Sequence, residues 1–313
     1  MKKSILLFFG TLLTFLIFDR IVTMVISNAE KKIYIESSIG KVNQFIKVKD
    51  SVDVLVLGSS RALHHVDTRN FGKAAFNIGA DGKKVAYCAA LSSMLQKEGQ
   101  IVLVHVDHNR VFDKDYDGRD GRGLLYKAES NENLSEFYKA KFPTEYFISK
   151  GVHSYPYNGK ALIILKNFMV KDSVNQSGYE PIFPTEVQKA VFANMFKEEK
   201  SQMNIGITKP LSISNEFEKY VDYIQETAVA NGSKLVFFTS PSLSKVDGEV
   251  HDKVGKFFEN RGILYLDHLD YFENQDLTLW KDYTHLSAKG ANLYTGFLLA
   301  QLAEHGVLSY PAH

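Results

Sequence analysis

The sequence predicts an α/β protein, a three-layer α/β/α sandwich with a central parallel sheet, preceded by an N-terminal transmembrane helix. Short runs rich in β-branched and aromatic residues alternate with amphipathic helical segments along most of the chain. Short links join these elements, which is typical of parallel strands covered by helices on both faces. A long apolar segment at the N-terminus precedes all of them.

The N-terminal segment has the composition of a membrane anchor. Two lysines precede residues 5–18, which are mostly apolar but too few to cross a hydrocarbon core of roughly 30 Å. Continuing through Asp19 and Arg20 to Ile26 gives sufficient length, with both charges near the far interface. The lysines predict a single-pass inner-membrane protein with a cytoplasmic N-terminus and an exported C-terminal domain. A signal peptide cleaved near 27–29 is the alternative interpretation.

The sequence predicts three regions: a membrane anchor over 1–27, a polar stalk over 28–50 and one domain over 51–313. Strands are expected at 51–58, 74–79, 101–106, 234–240 and 263–267, and helices at 83–97, 213–230, 247–260 and 287–304. The alternation is lost in an insertion at about 110–210, where helices and loops rich in Tyr and Phe are expected. This insertion is interpreted either as a cap over the active site or as packing on one sheet edge.

Composition excludes several classes of function. The chain has 37 basic and 36 acidic side chains, a balance that gives no field for attracting nucleic acid. Its single cysteine, Cys88, allows neither an internal disulfide nor a cysteine-based zinc cluster. The adjacent His64 and His65 are expected to point apart, and His105 and His108 have no third ligand at a useful spacing. We therefore expect no metal and no cofactor.

Polar residues that suit acyl transfer follow several of the expected strands. Ser60 lies in a tight turn after the first strand, the glycine-containing segment 77–82 follows the second, and Asn109 follows the third. Asp282 and His285 stand just before the last helix. Ligands bind at the carboxyl ends of parallel strands, so these residues are expected to meet at one sheet edge. They comprise a hydroxyl, backbone donors, an amide, a base and an orienting acid, the set that acyl transfer requires.

These segments together resemble the sequence blocks of the SGNH (GDSL-like) hydrolase superfamily. VLGSS at 56–60 resembles the first block, NIGADG at 77–82 the second, and DYTHLSAKG at 282–290 the fifth. Asn109 falls where the third block has its asparagine. The resemblance covers residues from about 50 to 305, apart from the middle of the chain.

The resemblance implies a flavodoxin-like SGNH hydrolase fold and a catalytic triad. It implies that Ser60 is the nucleophile, that His285 is the base and that Asp282 orients the imidazole. Gly82 and Asn109 then take the oxyanion positions. Two positions depart from the family pattern, since serine at 59 replaces the usual aspartate of GDS and aspartate at 107 replaces the usual glycine before the asparagine.

A GSS variant behind a membrane helix resembles exported members that modify cell-surface polysaccharides or teichoic acids. The expected function is that of a membrane-anchored serine esterase or O-acyltransferase acting on acyl, chiefly acetyl, esters of a carbohydrate or cell-surface glycan. The expected partners are the glycan ester, the membrane and a polytopic membrane acyltransferase. The alternative is a non-catalytic accessory protein that binds glycan or docks on such an acyltransferase. The choice between hydrolase and transferase stays open, because one triad serves both.

Each site residue also has a structural interpretation that the sequence leaves open. Ser60 can be a helix N-cap, and His285 can be a loop histidine packed on the last helix. Gly82 can be a turn glycine, and Asn109 can cap a helix. Arg61 is interpreted as a structural or solvated arginine in preference to a binding site for an anionic substrate group.

Overall fold

Two units make up the described part of the chain in the computed structural model, which describes residues 2–34, 37–170, 175–199, 211–272 and 276–309. One unit comprises residues 1–46 and 122–175, and the other comprises residues 47–121 and 176–313. The insertion expected at 110–210 includes residues 171–174 and 200–210, which lie outside the described residues.

Helices account for most of the regular structure. In chain order they are α1 (Lys2–Glu30), α2 (Ser38–Val48), α3 (Ser60–His65), α4 (Val85–Ser92), α5 (His108–Val111), α6 (Glu132–Lys141), α7 (Pro143–Gly151), α8 (Ala161–Phe168), α9 (Glu186–Glu199), α10 (Asn215–Ala230), α11 (Gly248–Glu259) and α12 (Ala288–Glu304). Short 3₁₀ helices cover Thr68–Phe71, Arg119–Ser130, Tyr155–Tyr157 and Leu277–Leu279. The strands are β1 (Val54–Leu57), β2 (Ala75–Asn77), β3 (Ile101–His105), β4 (Lys234–Thr239) and β5 (Leu264–Asp267).

The five strands form one parallel sheet in the order β2-β1-β3-β4-β5. Every residue of β1 and β3 is buried, as expected for strands whose two faces are both covered. The expectation of an α/β protein with a central parallel sheet is therefore confirmed. This strand order is one of the two common in doubly wound sheets, and it leaves a crevice at the carboxyl ends of β1 and β3, where the order reverses.

Helices cover both faces of the sheet. Val56 and Phe238 point to the face on which α12 packs, and they share a buried cluster with Leu298 of that helix. The neighbouring Phe237 points to the opposite face, where its ring stacks on Phe258 of α11 at 4.7 Å between centroids. Alternate residues of a strand thus pack into apolar layers on opposite faces of the sheet.

The expected start of the last helix is confirmed in detail. Ser287 is the N-cap of α12, and its side-chain oxygen accepts a hydrogen bond from the Gly290 amide at 3.3 Å. On the turns that follow, Tyr294, Leu298 and Leu302 are fully buried on the face toward the sheet. This packing fixes the position of the loop that precedes the helix.

Helix α1 is long and apolar enough to cross a membrane, judged by its length and composition. It runs three residues beyond the boundary expected at 27. The carboxylate of Asp19 accepts hydrogen bonds from the backbone amides of His153 (2.8 Å) and Ser154 (3.0 Å), and Arg20 contacts the His153 ring. The two charges within the apolar helix therefore have polar partners in the same unit.

Gly290 and Gly296 offer a matched test of the packing of α12. A methyl group on Gly290 would clash with the carbonyl oxygen of Leu279, whereas one on Gly296 would meet open space. We expect Gly290→Ala to destabilise the protein by about 1–3 kcal/mol through overpacking. We expect Gly296→Ala to stabilise it by up to about 1 kcal/mol through helix propensity. Thermal unfolding of the full chain in detergent measures both, and equal effects would contradict the close approach at Gly290.

Candidate active site

Ser60 and His285 lie in hydrogen-bond contact although 225 positions separate them. Ser60 is the first residue of α3, directly after β1, and its Oγ lies 2.9 Å from Nε2 of His285. The turn between strand and helix depends on Gly58, which has φ +147°, and a Cβ there would lie 2.7 Å from Cβ of His105. Glycine therefore permits the sharp turn that exposes the hydroxyl of Ser60 at the sheet edge.

The carboxylate of Asp282 holds the other side of the imidazole. Both of its oxygens lie 3.0 Å from Nδ1 of His285. Its Oδ1 also accepts hydrogen bonds from the backbone amides of Thr284 and His285, each at 2.9 Å. Although partial burial raises it, the bonds from His285 and these amides leave the pKa of Asp282 lowered from its ordinary value. Because an ionised carboxylate can only accept, Nδ1 of His285 is the donor in this contact, and Nε2 faces the Ser60 hydroxyl.

The structure brings four of the five predicted site residues to one cavity and puts the fifth, Asp282, in contact with one of them. Ser60, His285, Gly82 and Asn109 line a cavity of about 280 Å³ at the carboxyl edge of the sheet. Gly82 is an exposed turn residue with φ +67°, and Asn109 is an exposed residue of α5. Asp282 stands behind His285, where it contacts the imidazole. This volume of about 280 Å³ lies just below the usual range for ligand pockets.

Two of the structural interpretations do not hold. Ser59, and not Ser60, is the N-cap of α3, because its Oγ accepts from the Arg61 amide at 3.3 Å. Asp107 is the N-cap residue of α5, so Asn109 lies inside that helix and not at its cap position. The side chain of Ser60 is thus left for His285.

A buried chain of hydrogen bonds runs beneath the candidate site. The Leu286 amide donates to Nε2 of His65 at 3.0 Å, so the His65 proton stands on Nδ1, which donates to Ser240 Oγ at 2.8 Å. The Ser240 hydroxyl then donates to Nε2 of His105 at 3.0 Å. Nδ1 of His105 in turn lies 3.4 Å from Ser59 Oγ. This chain connects the residue after His285 with the residue before Ser60.

An ion pair extends the same network. Arg61 NH1 donates to Asp107 Oδ1 at 2.5 Å, and its NH2 donates to the carbonyl oxygens of Ser240 and Pro241. Although burial raises it, the Arg61 guanidinium beside the carboxylate leaves the pKa of Asp107 lowered from its ordinary value. Arg61 is 7% exposed, which supports its interpretation as a structural arginine.

These supporting residues are not among the site residues predicted from the sequence. The expectation that His64 and His65 point apart agrees with the structure, since His64 Nδ1 contacts the Glu180 carbonyl oxygen and His65 contacts Ser240. Their partners come from segments more than 100 positions away, and local spacing carries no signal for such pairs. The signal that the sequence offered for this network was the polar residue Ser240 at the end of an expected buried strand.

A comparison of the chain with protein-family models gives no match, and a comparison with curated proteins gives none either. The likeness to SGNH hydrolases therefore rests on the sequence blocks described above.

The buried histidines predict a specific pH dependence of stability. Removal from water lowers the pKa of His105 to about 3 and that of His65 well below its ordinary 6.5. Between those values and 6.5 the unfolded chain binds more protons than the folded one, so stability is complete above about pH 6.5 and falls as the pH decreases. Each such histidine contributes up to about 1.4 kcal/mol per pH unit in that window.

We therefore expect the thermal unfolding midpoint of the full chain to decrease as the pH is lowered from 6.5 to 4.5. His105→Gln is expected to lower stability at neutral pH and to flatten this slope, because one titrating group is gone. The exposed His305 provides the control, since His305→Gln should leave the slope unchanged. If stability depends on pH identically in the wild type and the His105 variant, His105 binds a proton as readily in the folded chain as in the unfolded chain. That result would contradict the lowered pKa.

Proposed function

We propose that the chain is a membrane-anchored serine esterase or O-acyltransferase of the SGNH type, acting on acyl, chiefly acetyl, esters of a carbohydrate or cell-surface glycan. The observation that supports this most is the 2.9 Å contact from Ser60 Oγ to His285 Nε2, with the Asp282 carboxylate 3.0 Å from Nδ1 of the same ring. A serine, a histidine and a carboxylate in this order form the arrangement that activates a hydroxyl for attack on an ester.

The proposed reaction begins with proton transfer. As Ser60 Oγ attacks the ester carbonyl, Nε2 of His285 takes its proton and Asp282 stabilises the imidazolium. The oxyanion of the tetrahedral intermediate is met by the amides of Ser60 and Gly82 and by the side-chain amide of Asn109. Collapse releases the alcohol with a proton from His285, and water or a sugar hydroxyl then resolves the acyl-enzyme. The second acceptor decides between hydrolysis and transfer.

The proposed location follows from α1. A helix of 29 residues with high mean hydropathy supports a single-pass anchor. Together with the lysines that precede it, this favours an inner-membrane protein with a cytoplasmic N-terminus and a periplasmic or extracellular catalytic domain. A polytopic membrane acyltransferase that supplies the acyl group is the proposed partner for the transfer reaction.

Covalent labelling tests the nucleophile. We expect the full chain in detergent to react with a fluorophosphonate probe, and we expect Ser60→Ala to abolish the labelling because the hydroxyl in contact with His285 is lost. Ser59→Ala is the matched control, since it removes the neighbouring hydroxyl, which contacts His105 and Asp107 instead of His285. In-gel fluorescence and mass spectrometry of the labelled peptide measure the outcome.

The same experiment separates the enzyme from the accessory protein. No labelling of a folded wild-type chain would favour an accessory protein that binds glycan or docks on an acyltransferase. Labelling that persists in Ser60→Ala would refute the assignment of the nucleophile. Labelling lost in Ser59→Ala but kept in Ser60→Ala would transfer the role to the neighbouring serine.

Hydrolysis of p-nitrophenyl acetate tests the other roles. Asn109→Ala is expected to lower kcat by about 10²–10³ with little change in KM, because a donor to the oxyanion acts in the transition state. Asp282→Asn is expected to lower kcat by about 10⁴, because the imidazole loses its orienting carboxylate. Asn260→Ala, an exposed asparagine at the end of α11, is the control and should leave kcat unchanged. An unchanged kcat in Asn109→Ala would remove Asn109 from the oxyanion hole.

A further inference from the structure

Three side chains from distant segments converge beside the candidate active site. His108 begins α5, His251 lies in α11, and Asp267 is the last residue of β5. Nε2 of His108 lies 2.8 Å from Asp267 Oδ2, and Nδ1 of His251 lies 2.9 Å from the same oxygen. One ring nitrogen from each histidine and one carboxylate oxygen thus face a common point, with all three atoms within 4.8 Å of one another.

We propose that His108, His251 and Asp267 bind a divalent transition-metal ion, with Zn²⁺ the best-matched ion. Two imidazole nitrogens and a carboxylate oxygen are a frequent protein ligand set for Zn²⁺ and for related borderline ions. Bonds of about 2.0–2.1 Å in tetrahedral geometry place neighbouring ligand atoms about 3.3 Å apart. The present separations of 2.8 and 2.9 Å need to widen by only a few tenths of an ångström.

Two of the three ligands, His251 and Asp267, are oriented by further groups. Nε2 of His251, the nitrogen that faces away from the cluster, lies 3.5 Å from the carboxylate of Asp270. The Leu269 amide donates to Asp267 Oδ1 at 3.2 Å, which directs Oδ2 toward the two rings. A carboxylate behind a ligating histidine fixes the ring and raises its basicity.

Burial and access also fit an ion. The ring of His108 is almost wholly buried, whereas the side chains of His251 and Asp267 are 26% and 22% exposed. A surface groove lined by His251 and Asp267 reaches the cluster. The site is therefore anchored on the protein side and open to solvent on the other, which leaves a coordination position for water or an entering ligand.

A bound ion would connect to the proposed chemistry through His108. Asn109 is the next residue in the chain, and His108 lines the same cavity as Ser60. An ion at His108 would hold the segment after β3, and with it Asn109, in one position. This consequence rests on the proposed function, whereas the binding of the ion does not.

Metal titration of the full chain in detergent tests the site. After treatment with a chelator and dialysis, we expect one saturable Zn²⁺ site by calorimetry, and Co²⁺ in the same site should give the visible absorption of a low-coordinate complex. His251→Ala should weaken the apparent affinity by more than about 100-fold, since losses in the outer shell alone amount to 10–100-fold. Asp270→Asn should weaken it by about 10-fold.

Two controls keep the result interpretable. His305→Ala removes an exposed histidine at the end of α12 and should leave Zn²⁺ affinity unchanged. Ser60→Ala should bind Zn²⁺ as the wild type does while losing probe labelling, so the failure of one proposal is distinct from the failure of the other. His251→Gln, a milder change at a partly exposed position, replaces His251→Ala if that variant does not fold. The absence of saturable Zn²⁺ binding by the folded wild type, or equal affinity in wild type and His251 variants, would overturn the site.

Discussion

The hydrogen bond between Ser60 and His285 joins the turn after β1 to the loop before α12, and the candidate site depends on those two segments staying together. A second bond between the same segments lies just below it, from the Leu286 amide to Nε2 of His65. His65 lies in the same short helix as Ser60, and its ring centroid is 6.3 Å from that of His285. The first bond is partly exposed, whereas the second is fully buried. The buried bond can therefore hold the two segments together whether or not the exposed one is formed.

The buried bond works because its histidines stay neutral. Burial lowers the pKa of both His65 and His105, so neither ring carries charge beneath the site. A neutral ring has one donor and one acceptor nitrogen, and the Leu286 amide decides which is which in His65. That choice then fixes the direction of the bonds through Ser240 to His105. The remaining buried charge nearby, on Arg61, is paired with Asp107, as burial of an ion requires.

The sequence predicts the sheet, and it points to the residues of the candidate site, because both leave local signals. The strands are short runs of β-branched and aromatic residues, and Asp282 and His285 sit three positions apart before a helix with a clear N-cap. The supporting network leaves little local signal, since His65 lies in α3, His105 lies in β3 and Ser240 comes directly after β4. His251 and Asp267 lie more than 140 positions from His108, so sequence spacing could not indicate that the three side chains meet. The alternative interpretation of Ser60 as the N-cap of α3 is wrong by one residue, since the adjacent Ser59 is the N-cap.

The two departures from the SGNH pattern lie side by side in the structure. Ser59 stands where the family has the aspartate of GDS, and Asp107 stands where it has the glycine before the asparagine. Ser59 Oγ lies 3.5 Å from Asp107 Oδ2, and the other oxygen of Asp107 binds Arg61. The carboxylate near Ser59 thus comes from the turn after β3, since the turn after β1 has serine at that position. The flanking Arg61 supplies the counter-charge of that carboxylate.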